Sequence, residues 1–252
     1  MTTKVRALSV VSCALVLCGV AAARPARLRA VSYDLARQTV RHQLVKSLLL
    51  YEHVDLLGLN NLREWAGPQS EEPPLAALAA SLNMYYAYRS AFPGANYGSA
   101  LLSRYPIRRT GAFSGAKGKR PLGMTAEVDA GGERLRVVLV RPDSPAAGRT
   151  ASDSVPRIVK AHPDQRLLVM ASFDPGAAMG AVKAWGRAGL QDAAVALRRE
   201  EPTFPAARPV ERLDFILISG NLRPGLQESR VIREPKLRGA GDHLPLEVTF
   251  AF

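Results

Sequence analysis

Short apolar runs alternate with amphipathic stretches along most of the chain. Residues 28–33, 54–59 and 166–172 have the length and continuity of buried strands. Residues 38–51 place apolar side chains three and four positions apart, which is typical of an amphipathic helix. The same reasoning predicts strands at 97–103, 122–128, 135–140, 213–219, 226–232 and 244–250, and helices at 75–82 and 176–185. This alternation predicts a mixed α/β fold.

The composition is that of a globular protein. The chain has 252 residues, of which 47% are apolar and 22% are charged. These fractions exclude the disordered and fibrous classes of protein. The sequence has no internal repeat and no linker long enough to divide it. We therefore expect residues 24–252 to form one domain behind a separate N-terminal segment.

The N-terminal segment, residues 1–23, has the three parts of a secretory signal peptide. Lys4 and Arg6 form a short positive region, residues 7–20 are apolar, and three alanines at 21–23 suit a cleavage site. The apolar part is shorter than the ~20 residues of a comfortable membrane span. A retained anchor and an ordinary helix are the alternatives. We expect cleavage, which predicts a secreted or periplasmic protein with no transmembrane segment left.

Cleavage would also change the charge and the thiol content. Cys13 and Cys18 both lie in the predicted signal, so the mature chain would contain no cysteine, which suits an oxidising compartment. The formal net charge falls from +12 to +10 because Lys4 and Arg6 are removed. The remaining positive charge favours acidic partners such as nucleic acid or polyphosphates. A Gly-rich basic stretch at 115–120 could follow a phosphate backbone or be only a solvated face.

Polar side chains stand at the ends of several predicted strands, where ligands tend to bind in open α/β sheets. They are Asp34, Asn60, Asn61, Arg141, Ser172, Asp174, Asp214, Asp242 and His243. Several have structural alternatives: Asp34 could cap a helix, the two asparagines could close a turn, and Asp174 could begin a helix. Asp214 is flanked by strand residues and needs a partner if it is buried.

In order and spacing these segments resemble the endonuclease/exonuclease/phosphatase superfamily, which includes the deoxyribonuclease I-like nucleases. Residues 98–107 read GSALLSRYPI and match its Gly-x-Ala-x-x-Ser-Arg-x-Pro-Ile signature. Residues 212–216 match Arg-Ile-Asp-Tyr-Ile, and residues 241–245 match Ser-Asp-His-x-Pro. The resemblance covers about residues 28–252. It implies an α/β (α+β) fold, a deoxyribonuclease I-like four-layer sandwich in which helices flank two packed mixed β-sheets.

The resemblance also implies roles for the polar strand ends. Asp214 and His243 match the couple that works near the scissile phosphate, with Asp242 beside them as a third catalytic candidate. Arg141 stands where the superfamily has a phosphate-binding histidine, and a guanidinium is a permanent, bidentate phosphate ligand. Asn60 is the second phosphate-binding candidate.

Two catalytic positions of the superfamily are substituted. Asn61 stands at the glutamate that binds a divalent metal, usually magnesium, and Ser172 stands at the aspartate that activates water. An amide oxygen offers no charge to a hard cation. A general base contributes roughly 10²–10⁴ in rate, and a serine does not replace it. The sequence therefore indicates a degenerate catalytic set, in which binding survives more easily than turnover.

A rearranged site is the alternative, because the number of carboxylates is kept. The superfamily's one Glu and three Asp correspond here to Asp34, Asp174, Asp214 and Asp242. A magnesium or manganese ion could then be held by Asp34, Asn61 and Asp242, with Asp174 as the base. Otherwise these exchanges are drift in a site without catalytic demand. Arg141 could equally pair with Asp34 or Asp174 and fill the site.

We therefore expect a secreted protein with an impaired catalytic site that binds a phosphate-bearing or anionic partner, nucleic acid among the candidates. An active metal-dependent nuclease or phosphatase with redistributed carboxylates is the first alternative. A structural or interaction protein that does not use the cleft is the second.

Overall fold

The computed structural model describes residues 27–36, 42–63, 75–92, 94–114, 121–142, 145–176, 178–234 and 241–251. The predicted signal peptide and the basic stretch at 115–120 lie outside these residues, and both stay predictions. Within the described part of the chain, no helix combines the length and apolar character needed to cross a membrane.

Twelve strands and five α-helices are described. The strands are β1 (Arg27–Asp34), β2 (Leu56–Leu62), β3 (Tyr85–Ser90), β4 (Gly98–Ser103), β5 (Ile107–Ser114), β6 (Pro121–Ala130), β7 (Glu133–Val140), β8 (Arg166–Ser172), β9 (Leu190–Asp192), β10 (Asp214–Ser219), β11 (Leu226–Val231) and β12 (Leu246–Ala251). The helices are α1 (His42–Tyr51), α2 (Leu75–Ser81), α3 (Pro145–Ala161), α4 (Ala178–Arg187) and α5 (Ala193–Leu197), and a 3-10 turn covers Gly220–Gly225.

The strands form two six-stranded mixed sheets. The first has the order β11-β12-β1-β2-β4-β3, and the second has the order β5-β6-β7-β8-β10-β9. Each sheet contains one parallel pair, β1 with β2 and β7 with β8, and every other pair of neighbours is antiparallel.

Apolar side chains on both faces of each sheet produce four layers. The inner faces pack on each other through residues such as Leu56 and Met170. The outer face of the first sheet packs on α1 and α2, where Val45 is fully buried, and that of the second packs on α3 and α4, where Trp185 is fully buried. The predicted four-layer sandwich of two mixed sheets flanked by helices is confirmed.

Gly58 lets the two sheets approach each other. A Cβ at this position of β2 would lie 2.5 Å from the Met170 sulfur and 2.6 Å from a methyl carbon of Leu139, both on the opposite sheet. Such contacts are far inside van der Waals distance, so the Met170 and Leu139 side chains would have to move. A glycine at this position therefore leaves room for the side chains of the opposite sheet.

Several predicted elements have different ends in the structure, and other elements were not predicted. β2 extends to Leu62, so Asn60 and Asn61 lie inside the strand and do not close a turn. β3, β5, β9, α3 and α5 were not predicted. α3 contains Pro156, and a proline argues against a helix because it lacks the backbone N–H. The helix forms nevertheless, since Ala151 and Val155 bury one of its faces against the second sheet.

Candidate functional site

Strand direction brings the polar strand ends to one edge of the sandwich. In the first sheet, Asp34 at the end of β1 lies beside Asn60, two residues before the end of the parallel strand β2. In the second sheet, Ser172 at the end of β8 faces Asp214 at the start of the antiparallel β10. Side-chain contacts between the two sheets join these sets into one cleft.

The Asp214–His243 couple is formed as the sequence predicts. His243 precedes β12, and its Nδ1 lies 2.8 Å from Oδ2 of Asp214. Asp214 is completely buried, and its other oxygen has no hydrogen-bond partner among the described residues. The hydroxyl oxygen of Ser172 lies 3.5 Å from the same Nδ1. Asp214 therefore occupies Nδ1 of His243, the nitrogen that Ser172 would need as its general base.

Carboxylates keep His243 protonated at neutral pH. Burial alone would lower the pKa of the imidazole, but Asp214, through its charge and its hydrogen bond, then Asp34 and Asp242 raise that pKa to about 9. The imidazolium donates from Nδ1 to Asp214 and carries a second N–H at Nε2. His243 is thus a buried cation with three carboxylates near it.

Arg141, Asn61 and Asp34 form a hydrogen-bonded chain across the cleft. The Asn61 amide nitrogen donates to Oδ2 of Asp34 at 2.6 Å, and the Arg141 guanidinium donates to the Asn61 carbonyl oxygen. Asp34 also accepts from the Ala36 backbone N–H at 2.7 Å. Asn61 thus joins Arg141, which follows β7 of the second sheet, to the carboxylate at the end of β1.

Asp34 is a buried acid with an altered pKa. Burial raises its pKa, while His243, the Ala36 N–H and the Asn61 amide oppose that rise by favouring the charged form. The negative charge of Asp214 adds to the rise. Asp34 therefore belongs to the same electrostatic system as the Asp214–His243 couple.

Asn61 occupies a bulge of β2 with an uncommon backbone conformation. The pairing of β2 with β4 shifts register between Leu59 and Leu62, and Asn61 has a φ of 52°. Asparagine adopts this left-handed conformation more readily than most residues. The bulge turns the Asn61 amide towards Arg141, which an alternating strand would not have done.

The remaining predicted site residues divide into buried and exposed ones. Asn60 is completely buried, and its carbonyl oxygen accepts from the Ser99 hydroxyl at 2.9 Å. Its amide nitrogen has no hydrogen-bond partner among the described residues. Asp174 and Asp242 are both exposed. The side chain of Asp242 affects the cleft through its charge on His243.

As arranged, these residues do not fit a divalent cation. The one oxygen of Asn61 faces the Arg141 guanidinium, so a metal ion there would meet a positive charge. Both oxygens of Asp34 already accept hydrogen bonds. Within the described ranges no group of three or more His, Cys, Asp or Glu side chains could hold a metal ion.

Thr203 positions the Asp214–His243 couple from both sides and was not predicted. Its hydroxyl accepts from the backbone N–H groups of Leu213 at 3.2 Å and Asp214 at 3.3 Å. Its backbone carbonyl accepts from the N–H of Leu244, next to His243, at 2.8 Å. The residue is completely buried. Its segment has no periodic pattern that could have indicated this role.

The residues that follow Thr203 also contact the loop that carries His243. The Phe204 ring lies 5.0 Å from the imidazole of His243, centroid to centroid. The N–H of Ala206 donates to the Asp242 carbonyl at 2.7 Å. Residues 203–206 therefore connect the start of β10 to the loop that carries His243.

We expect Thr203→Val to lower the pKa of His243 and the stability of the fold. Valine has the shape of threonine but leaves two backbone N–H groups without their acceptor, which costs about 1–3 kcal/mol in unfolding free energy. A displaced Asp214 would also favour the imidazolium less. Thr203→Ser keeps the hydroxyl and should retain the pKa near that of the wild-type chain. Nuclear magnetic resonance titration of the imidazole measures this; equal pKa values in all three proteins would contradict it.

No protein-family model matches the chain, and no curated protein is similar to it in sequence. Solved structures are similar in fold. The 3′ phosphatase NExo from Neisseria, bound to a product DNA hairpin, superposes with a TM-score of 0.69 at 19% identity, over 89% of this chain and 100% of that one. An AP endonuclease from Archaeoglobus fulgidus gives 0.65 at 14% identity, over 89% and 100% of the two chains.

A third similar structure is the endonuclease/exonuclease/phosphatase protein from Bacteroides vulgatus. Its TM-score is 0.67 at 16% identity, and the match covers 88% of this chain and 98% of that one. At identities this low, the similarity establishes the fold only. The activity has to be argued from the residues of the site. The chain therefore has the deoxyribonuclease I-like fold of the endonuclease/exonuclease/phosphatase superfamily.

Proposed function

We propose that this protein binds a phosphate-bearing ligand in the cleft through Arg141 and His243, and that its hydrolytic activity is impaired. One observation carries the proposal: the Arg141 guanidinium contacts Asn61, the residue at the superfamily's metal position. A fixed guanidinium can supply there part of the positive charge that a metal ion supplies to a phosphoryl group.

The two cations have complementary roles. Arg141 is charged at every physiological pH and can donate two parallel N–H groups to phosphoryl oxygens. Asp214 fixes the orientation of His243 through Nδ1, which directs its remaining N–H, at Nε2, away from that carboxylate. Both groups are buried enough for the low local dielectric to strengthen a charge-assisted hydrogen bond. Nucleic acid is one source of such a ligand, since NExo was solved with DNA.

Impaired turnover follows from the lack of a placed base. The His243 imidazolium has no free lone pair at neutral pH, and its Nδ1 is committed to Asp214. Ser172 is therefore not activated as a nucleophile. Asp174 is the other candidate base, but it is exposed and is not held over the cleft by a described contact. The cleft can bind and orient a phosphoryl group without activating water.

Anion affinity should fall as the pH rises through about 9. The pKa of His243 is raised from its ordinary value to about 9, so the imidazolium persists below that pH and is lost above it. At pH 10 about one-tenth of the imidazole stays protonated, so affinity should be about tenfold weaker than at pH 7. Sulfate is a suitable probe in metal-free buffer, because its charge is constant over this range.

The matched variant for this titration is His243→Gln, which cannot titrate. Its sulfate affinity should be weak at pH 7 and constant up to pH 10. Isothermal titration calorimetry of both proteins provides the comparison. Wild-type affinity that does not change between pH 7 and pH 10 would show that His243 does not bind the anion.

A further inference from the structure

Three completely buried polar side chains each have one unpaired atom. They are Ser32, Asn60 and Asp214, all with no exposed surface. The Ser32 hydroxyl oxygen, the Asn60 amide nitrogen and Oδ1 of Asp214 have no hydrogen-bond partner among the described residues. Buried polar atoms are paired in folded proteins with few exceptions, because an unpaired one keeps its full desolvation cost. Three such atoms close together would therefore need a shared partner.

Strand alternation directs Ser32 and Asp214 into the space between the two sheets. Residues two positions apart on a strand share a face. Ala30 precedes Ser32 by two positions and packs in the core between the sheets. Ile216 follows Asp214 by two positions and packs in the same core. The two side chains therefore face each other's sheet, since β1 packs against β8 and β10.

Asn60 lies at the same depth between the sheets as Asp214. Two residues before it on β2, Gly58 faces Met170 of β8, because a Cβ at Gly58 would lie 2.5 Å from the Met170 sulfur. Two residues after Met170 comes Ser172, which is the register partner of Asp214. β2 and β8 both run towards the cleft, so two residues beyond the contact of Gly58 with Met170 bring Asn60 level with Ser172 and Asp214.

A single water molecule matches the three unpaired atoms. The Asn60 carbonyl oxygen already accepts from the Ser99 hydroxyl, so its amide nitrogen is the end that is left to donate. Oδ2 of Asp214 is bound to His243, and its Oδ1 is left to accept. Water can accept from the amide, donate to the carboxylate and bind the Ser32 hydroxyl in either direction. Internal waters typically make about three such hydrogen bonds.

We propose that a buried water molecule joins Ser32, Asn60 and Asp214 behind the Asp214–His243 couple. Ser32 and Asn60 are then positioning residues, which hold through the water the carboxylate whose other oxygen orients His243. Asn60 supports the couple from its buried side, a role that differs from the phosphate contact implied by the resemblance. The inference goes beyond the proposed function, because it holds whether or not the cleft binds an anion.

Crystal structures that resolve ordered water test the site directly. In the wild-type chain we expect one water about 2.7–3.2 Å from all three atoms. Asn60→Leu should lose this water, because leucine has a similar size and offers no donor. Ser229→Ala is the matched control: its hydroxyl is also buried and unpaired, but it lies on β11, at the edge of the first sheet. That variant should keep the water. A wild-type structure without a water at these atoms would overturn the inference.

The Nδ1 proton of His243 reports the effect on the couple in solution. Hydrogen bonds to a carboxylate favour its charged form, so weakening the water contact makes Asp214 a stronger acceptor for that proton. Its magnetic resonance signal should move downfield in Ser32→Ala and in Asn60→Leu, and stay at the wild-type position in Ser229→Ala. Ser32→Ala removes a single hydroxyl and keeps the test decisive if Asn60→Leu does not fold. An unchanged signal in folded Ser32→Ala protein would show that the inference is wrong.

Discussion

Replacing Arg141 by alanine should weaken orthophosphate binding by about 30-fold to 4000-fold. Arg141 is 6% exposed, and its guanidinium contacts Asn61, the residue that the resemblance assigns to the metal position. Removing one partner of a buried, charge-assisted contact costs about 2–5 kcal/mol, and each 1.4 kcal/mol is tenfold in affinity. Above pH 9 most of the His243 imidazole is neutral, so Arg141 should then carry most of the anion binding.

Two further variants make that result interpretable. Arg141→Lys keeps the charge but loses the planar fork, so its affinity should lie between those of the wild-type and alanine proteins. Arg134→Ala removes an equal charge from the far end of the same strand and should bind orthophosphate normally. Thermal unfolding should accompany each titration, because Arg141→Ala also removes a donor from Asn61. Orthophosphate affinity within about threefold of wild type in folded Arg141→Ala protein would contradict the proposed role.

Restoring the superfamily's residues should create a metal-dependent hydrolase. We expect the triple variant Asn61→Glu, Ser172→Asp and Arg141→His to bind magnesium and to hydrolyse bis(p-nitrophenyl) phosphate at least about 10²-fold faster than the wild-type chain. The glutamate supplies an anionic ligand, the aspartate supplies a base, and removal of the guanidinium frees the metal position. Asp214 and His243 are already placed as a couple.

The double variant Asn61→Glu with Arg141→His is the control for this experiment. It should bind magnesium but hydrolyse slowly, because Ser172 stays in place of the base. A glutamate at φ 52° is strained by about 1 kcal/mol, so a small loss of stability is expected in both proteins. If the folded triple variant does not bind magnesium, Asn61 does not correspond to the metal ligand and the comparison with the superfamily fails at this position.

The fold could be predicted from the sequence because the motifs that carry the resemblance lie at strand ends. Residues 212–216 and 241–245 place an aspartate and a histidine at the starts of β10 and of the loop before β12, and the structure brings them to 2.8 Å. Framework glycines carry part of this information: at Gly241 a Cβ would lie 2.9 Å from the Asp34 carbonyl oxygen. Steric requirements of this kind concern the backbone and do not depend on which polar side chains line the cleft.

The contacts made by Asn61 could not be predicted. From the sequence, a turn was one interpretation of Asn60 and Asn61. Pairing with Asp34 or Asp174 was one interpretation of Arg141. The bulge in β2 instead places Asn61 between Arg141 and Asp34. A bulge adds a residue to one strand without changing the hydrophobic pattern of its neighbours, so periodicity does not detect it. The position of Asn61 between the charges of Arg141 and Asp34 depends on the shifted register of β2 with β4.

Thr203 illustrates a second limit of sequence reasoning. Its hydroxyl binds backbone groups 10 and 11 residues away. Its carbonyl binds Leu244, which is 41 positions further along the chain. Such contacts involve main-chain N–H groups that every residue except proline possesses, so no residue type indicates them. Only the folded loop shows that this threonine joins the two halves of the couple.

The central claim, a cleft that binds phosphate without a metal and does not turn it over, is tested most directly by one paired measurement. Orthophosphate binding is measured in metal-free buffer, and hydrolysis of bis(p-nitrophenyl) phosphate and plasmid DNA is measured with magnesium, manganese or calcium. We predict orthophosphate binding without metal and no hydrolysis above the metal-free background. Metal-dependent hydrolysis that disappears in His243→Ala would contradict the account and establish an active phosphoesterase.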